Sequence, residues 1–135
     1  MGNSYVSDFI YLTKCSDEWY VVFIENENPK KRIFTEDNHF TADFNHAYEQ
    51  VQDWERYFKN SENRTKVLAS LKNICHSKIM RNNNVSFKYL LIYGRGDERN
   101  KSNARRNMFL GKKINDIKCV LLIQLKVIRV SFLIV

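Results

Sequence analysis

The sequence predicts an α/β protein in which helices flank a mixed β-sheet. Residues 7–12 and 19–25 are rich in aromatic and β-branched side chains, which is typical of strands. Between residues 37 and 57 apolar side chains instead recur every three or four positions, which is typical of a helix. An apolar run at 87–93, bounded by Asn-rich and Gly-rich segments, predicts a further buried strand. The predicted order is strands, then helices, then a strand, a helix and a strand. This order indicates an α/β protein.

The length of 135 residues allows one domain with a modest core. Its three cysteines are odd in number, lie far apart and follow no signal peptide, so we expect no disulfide framework and a cytoplasmic location. We expect a domain at 1–118 followed by an atypical apolar tail at 119–135, which could form a strand. The tail is too short for a membrane span and is interrupted by Gln124, Lys126 and Arg129, so we expect no membrane partner.

The net charge of +7 is distributed unevenly along the chain. Residues 1–60 contain 6 basic and 11 acidic residues, whereas residues 61–135 contain 16 basic and 4 acidic residues. An acidic half joined to a basic half suits a site that binds cations beside a surface that attracts polyanions. A solvated basic face without a partner explains the same charge pattern.

The first two strands are expected to form a hairpin, with residues 14–18 as the connection. The second strand is apolar on both faces as far as Ile24. Beyond that point Glu25 and Glu27 share a face, because side chains along a strand repeat every two residues. This strand therefore leaves the core and enters a polar cleft. Pro29 ends it, and a basic loop at 30–32 follows.

The following segment predicts two helices. The first has Thr41 as its N-cap and Asp43 in its first turn, and Gln50 lies beside its apolar stripe, facing a neighbouring cleft. The stripe comprises Phe44, Ala47, Tyr48, Val51, Trp54 and Phe58. A second helix is expected at 62–80, with a loop at 81–84.

The last part of the chain predicts a strand at 87–93, a break at 94–96, one polar helix at 97–108 and a strand that begins at residue 117. The polar helix carries several basic side chains, among them Arg99, Arg105 and Arg106.

Five segments, at 24–31, 33–35, 40–47, 50–54 and 91–95, together resemble the Shedu family of bacterial anti-phage defence proteins. The conserved domain of that family is a nuclease of the PD-(D/E)xK superfamily, and the resemblance covers residues 7–118. It implies a restriction-endonuclease-like mixed sheet flanked by helices. Since only seven residues precede Asp8, we expect this fold to be incomplete at its N-terminus.

The resemblance also implies roles for individual residues. By position, Asp8 is similar to the metal-binding aspartate of the superfamily and Glu25 to the acidic residue of its second half-motif. Glu27 stands where a lysine is usual, and Gln50 is similar to the glutamine on the helix beside the active site. The resemblance implies a metal-dependent DNA endonuclease in phage defence, and a homo-oligomer.

Phosphodiester cleavage by such a site would use Mg²⁺ or Mn²⁺, which favour oxygen ligands. We expect Asp8 and Glu25 to hold the ion, Glu27 to act as a further ligand or general base, and Gln50 to position water. The phosphates of DNA would bind cationic side chains, for which the candidates are Lys30, Lys31, Arg95, Arg99, Arg105 and Arg106.

Two alternatives stay open at this point. Glu27 in place of the lysine removes a cation that could stabilise negative charge in the transition state, which favours a catalytically degenerate nucleic-acid-binding module. The short start and the unpatterned tail instead favour a truncated remnant of a longer defence protein.

Overall fold

The computed structural model describes residues 9–15, 18–74, 85–112 and 117–120. It is an α/β structure, as the sequence predicts. Its elements in chain order are β1 (Phe9–Cys15), β2 (Glu18–Asn26), α1 (Ala42–Phe58), α2 (Ser61–Ile74), β3 (Val85–Ile92), α3 (Gly96–Arg99), α4 (Asn103–Leu110) and β4 (Ile117–Val120).

The four strands form one mixed sheet in the order β1-β2-β3-β4. β1 and β2 are antiparallel, which confirms the predicted hairpin, whereas β2, β3 and β4 run parallel. The carboxyl ends of the three parallel strands therefore lie at one edge of the sheet. Asn26 pairs with Ile92 at that edge, and the backbone N–H of Glu27 continues the ladder by donating to the Ile92 carbonyl at 3.0 Å.

The two faces of the sheet carry separate hydrophobic clusters, because side chains alternate along each strand. Val21 and Phe23 of β2 belong to the larger cluster, which includes the buried residues of α1. Val22 belongs to a smaller cluster on the other face, with Ile24 packed against it. The odd-numbered side chains of β2 thus face α1.

α1 covers the first face through the apolar stripe that its sequence predicts, and all six residues of that stripe are buried. Aromatic packing dominates this contact, for example Phe23 against Phe58 with ring centroids 4.7 Å apart. Thr41 is the N-cap, as predicted: its hydroxyl accepts a hydrogen bond from the Phe44 N–H at 3.2 Å. This interaction satisfies one of the free donors at the start of the helix.

The prediction of one polar helix at 97–108 is wrong, since α3 and α4 are separate. α3 ends at Arg99, and Ser102 then adopts an extended backbone conformation. The Ser102 hydroxyl accepts a hydrogen bond from the Arg105 N–H at 3.2 Å and so begins α4. A serine cap competes with helix continuation, and this is the physical reason for the break.

The second helix is confirmed over Ser61–Ile74. Its predicted continuation to residue 80, the loop at 81–84 and residues 121–135 of the tail lie outside the described residues. In the part of the chain that is described, none of the helices has the length and apolar character needed to cross a membrane.

Candidate metal and phosphate site at the carboxyl edge of the sheet

Two carboxylates stand at the carboxyl end of β2. Glu25 is the last buried residue of the strand, with 8% exposure, and its Cα is paired with that of Leu91 in β3. Glu27 follows two positions later, while the backbone is still bonded to β3. By strand alternation both side chains lie on the face that α1 covers, in line with Val21 and Phe23. The main core therefore ends in an acidic pair.

A tight turn brings Lys31 back to this pair. The Lys31 N–H donates to the Asn28 carbonyl at 3.0 Å, and the Lys30 N–H donates to the Asn28 side-chain oxygen at 2.9 Å. Lys31 Nζ then lies 2.7 Å from Glu27 Oε2 in an ion pair. The hydrogen bond to Glu27 raises the pKa of Lys31. The Lys31 ammonium group thus lies beside the acidic pair, although the resemblance places Glu27 where the motif lysine is usual.

Tyr93 lies immediately after β3 and is fully buried. Its environment is polar despite this burial, because Asp43, Lys31 and Glu27 all act on its hydroxyl electrostatically. Burial is the main cause that raises the pKa of Tyr93; the nearby Thr41 hydroxyl lowers it and the Asp43 carboxylate raises it. Sequence reasoning missed this residue, because Tyr93 ends an apolar run and is itself part of the core.

Gln50 lies on α1 and is half-buried. The buried residues Ala47, Val51 and Trp54 lie at helical spacing around it, so Gln50 occupies the edge of the stripe that contacts the sheet. This placement is the one that its spacing predicts. Asp8, the expected partner of Glu25 at a metal ion, lies outside the described residues.

A divalent ion bound near Glu25 would need several oxygen ligands. Within residues 9–15, 18–74, 85–112 and 117–120, no three His, Cys, Asp or Glu side chains are grouped so that they could hold a metal. Glu25 and Glu27 offer carboxylate oxygens of the type that Mg²⁺ and Mn²⁺ prefer.

A cavity of about 410 Å³ opens beside the acidic pair. It lies where the loop after β2 meets the segment after β3, and it is lined by Pro29, Lys30, Lys31, Arg32, Arg95, Asp97, Glu98 and Lys101. Three of the six predicted DNA-binding cations, Lys30, Lys31 and Arg95, are among these residues. Arg32, which belongs to the predicted basic loop, and Lys101 were not among the predicted cations. No sequence pattern indicates that Lys101 shares a cavity with residues so far from it in the chain.

The other three predicted cations differ in position. Arg105 is buried, with 6% exposure; its Nε donates to Asn38 Oδ1 at 2.6 Å and its Nη2 donates to the Thr35 carbonyl at 3.0 Å. The guanidinium therefore supports the loop after β2, and we assign Arg105 to that loop rather than to a DNA surface. Arg99 lies over the Phe109 ring at 6.0 Å, and Arg106 is exposed on α4.

Glu98 fixes the same loop from α3. Its two carboxylate oxygens accept hydrogen bonds from the backbone N–H groups of Ile33 and Phe34, each at 2.9 Å. Arg32 Nε is 3.9 Å from the same carboxylate. Hydrogen bonds to an ionised acceptor are stronger than those between neutral groups, so Glu98 holds the backbone that follows Lys30, Lys31 and Arg32.

Comparison with known proteins gives one family. The family model described as Shedu protein SduA, C-terminal, matches residues 1–121. No curated protein matches the chain. The matched range contains both carboxylates, the cavity and every described element, so the chain belongs to the family of the Shedu protein SduA C-terminal domain.

Proposed function

We propose that this chain is a metal-dependent DNA endonuclease domain. Its family is a defence-related one, and the expected substrate is therefore the DNA of an invading phage. The proposal unites an acidic pair that could help hold a metal ion with an adjacent cationic cavity that could hold phosphate.

The observation that carries the proposal is the burial of Glu25. A buried glutamate is uncommon, because the charged carboxylate loses its hydration. Here Glu25 ends a strand on the face that contains the main core, and Glu27 follows on the same face. Carboxylate oxygens on one face at the end of a strand are ligands of the type that Mg²⁺ prefers, and this supports a metal ion at this position.

In the proposed reaction, Asp8 and Glu25 would hold Mg²⁺ or Mn²⁺. The ion would supply an activated water and neutralise charge on the phosphate. Glu27 would be a further ligand or would accept a proton from the attacking water, and Gln50 would orient that water from α1. Lys31 contributes positive charge next to Glu27, where negative charge develops on the phosphate oxygens.

Plasmid nicking tests this function. With Mg²⁺ or Mn²⁺ present, Glu25→Gln and Asp8→Asn should each lower the rate roughly 100-fold or more, because each removes a charged ligand while preserving shape. Glu62→Gln is the matched control, since Glu62 is an exposed carboxylate in a surface ion pair on α2. Nicking by both site variants at the wild-type rate would refute the assignment.

One observation favours the degenerate nucleic-acid-binding module as a second candidate. The Glu27 carboxylate is already paired with Lys31, and an ion pair of this kind competes with a metal for the same oxygen. This candidate predicts DNA binding that weakens with salt, and no cleavage with Mg²⁺ or Mn²⁺. Detection of nicking that depends on Glu25 excludes it.

A further inference from the structure

The cavity beside the acidic pair has a strongly asymmetric charge. Five cationic side chains line it, those of Lys30, Lys31, Arg32, Arg95 and Lys101, against the two carboxylates of Asp97 and Glu98. The Glu98 carboxylate accepts hydrogen bonds from two backbone N–H groups, which partly offset its negative charge. The space therefore favours an anion. Its volume of about 410 Å³ is within the range of small-ligand sites and exceeds the needs of a single ion.

The backbone around the cavity is fixed before any ligand binds. Glu98 holds Ile33 and Phe34, and Gly94 lets the same loop approach the end of β3 closely. Gly94 has φ +65°, and a Cβ at this position would lie 2.7 Å from Ile33 Cγ1. Three of the five cations precede Ile33 on this anchored loop. An anchored backbone lowers the entropic cost of holding these cations around an anion.

Lys31 belongs both to the cavity and to the acidic pair. It lines the cavity, and its ammonium group is bonded to Glu27 at 2.7 Å. An anion in the cavity competes with Glu27 for this cation. The Lys31 side chain is 40% exposed and lines the cavity, so an anion bound there can contact its ammonium group.

We propose that the cavity is a nucleotide-phosphate site, and that Lys31 is the residue through which an occupied site releases Glu27. The bound group is a phosphate of a DNA strand or of a free nucleotide, which share the same chemistry. Arg95 and Lys101 hold it on one wall, and Lys30, Lys31 and Arg32 on the other. This inference refines the proposed function, but its tests use binding and not cleavage.

The first test measures the affinity for duplex DNA as a function of salt, without divalent ions. Arg95→Ala and Lys101→Ala should each weaken binding and lower the slope of log Kd against log salt by about 1, because each removes one phosphate contact. Arg56→Ala and Lys66→Ala are the matched controls, since these cations lie in exposed helical ion pairs outside the cavity. Equal effects in the two sets overturn the site.

A second test separates the two sources of phosphate. Pyrophosphate, the probe for a free nucleotide, is titrated while Tm is recorded. A rise in Tm that Arg95→Ala and Lys101→Ala abolish supports the site with a free ligand. If Tm is unchanged but DNA affinity falls in these variants, the site is supported with the DNA backbone as its source. If neither readout depends on Arg95 and Lys101, the proposal fails.

A double-mutant cycle tests the role of Lys31. Glu27→Gln should strengthen DNA binding, because it releases Lys31, and Lys31→Met should weaken it. In the double variant the gain from Glu27→Gln should shrink at least severalfold, since there is no ammonium group left to release. If Glu27→Gln raises the DNA affinity equally with Lys31 and with Met at position 31, the gain comes from reduced charge repulsion with DNA. That result would overturn the proposed role of Lys31.

Failure of this inference and failure of the proposed function can be distinguished. A protein that never nicks DNA but shows the cavity-specific loss of affinity has the phosphate site without the endonuclease. A protein that nicks DNA through Glu25, yet binds DNA equally well in cavity and control variants, has the endonuclease without this site.

Discussion

At the scale of single residues, two ionisable side chains support the loop after β2. Glu98 accepts hydrogen bonds from its backbone N–H groups, and Arg105 donates to Thr35 and Asn38 further along it. The sequence predicted Arg105 as a surface cation, because a basic residue in a polar segment is usually solvated. It could not reveal acceptors that are nearly seventy positions away in the chain.

Arg105 provides a stability prediction. Arg105→Met removes two charge-assisted hydrogen bonds and the cation above the Phe34 ring. The free energy of unfolding in urea should fall by about 2 kcal/mol. Arg106→Met, the exposed neighbour, should change it by less than roughly 0.5 kcal/mol. Similar midpoints for the two variants would contradict the buried role.

Tyr93 provides a prediction on pH. Its pKa is raised by burial, so the unfolded chain loses the hydroxyl proton at lower pH than the folded one. The stability that this contributes is fully present below the pKa of an unfolded tyrosine, about 10, and is lost as pH rises through the folded pKa. Urea unfolding at pH 9 and 11 should therefore show a smaller alkaline loss for Tyr93→Phe than for wild type. An equal alkaline loss of stability in Tyr93→Phe and wild type would contradict a contribution from Tyr93.

At the scale of elements, α1 was predictable and the region of α3 and α4 was not. The α1 stripe repeats with the helical period over more than four turns, and its N-cap Thr41 directly precedes Ala42. Between residues 97 and 108 the composition is polar throughout, so periodicity gives no boundary. There a single hydroxyl, that of Ser102, decides where one helix ends and another begins.

The Thr41 cap has a measurable value. Its hydroxyl accepts from the Phe44 N–H and donates to the Arg32 carbonyl at 2.7 Å, so it joins α1 to the cationic loop. Thr41→Ala should lower the free energy of unfolding by about 1 kcal/mol or slightly more. Thr41→Ser keeps both hydrogen bonds and should retain most of that stability. Urea denaturation followed by circular dichroism measures both, and equal losses would exclude capping as the cause.

The turn after β3 depends on glycine. Gly94→Ala would require a left-handed backbone for alanine and would place a methyl group against Ile33, so we expect a loss of about 1–3 kcal/mol. Gly111→Ala is the matched control, because Gly111 has φ −64° and its nearest contact to a Cβ is 3.4 Å. Thermal denaturation of the two variants should give clearly different Tm values. A similar Tm would show that the loop adjusts without cost.

At the scale of the whole molecule, the parallel strands gather distant segments at one edge. The sequence predicted a mixed sheet and two carboxylates on one face of β2, since both follow from local patterns. It placed candidate DNA-binding cations in both halves of the chain, but could not show which of them lie together. The cavity draws Lys30, Lys31 and Arg32 from the first half, and Arg95 and Lys101 from the second.

This arrangement predicts how the proposed cleavage depends on salt. With DNA below saturation, the nicking rate should fall steeply between about 50 and 200 mM salt, because the phosphates must displace counterions. With saturating DNA the nicking rate should change little with salt. The positive charge near Glu25 is then the Lys31 side chain of the protein itself, and not an ion from solution. A strong salt effect at saturation would place the dependence in the chemical step and contradict the separation of binding from cleavage.

The parallel pairing of β2 with β3 also controls when the acidic pair acquires its surroundings during synthesis. β2 is synthesised before β3. Trp19 can therefore pair with Val85, and Glu25 with Leu91, only after β3 has been synthesised. Pairings between distant residues form late, because a long stretch of chain must first be ordered. The acidic pair therefore lacks its neighbours on β3 until the chain as far as Ile92 has been synthesised.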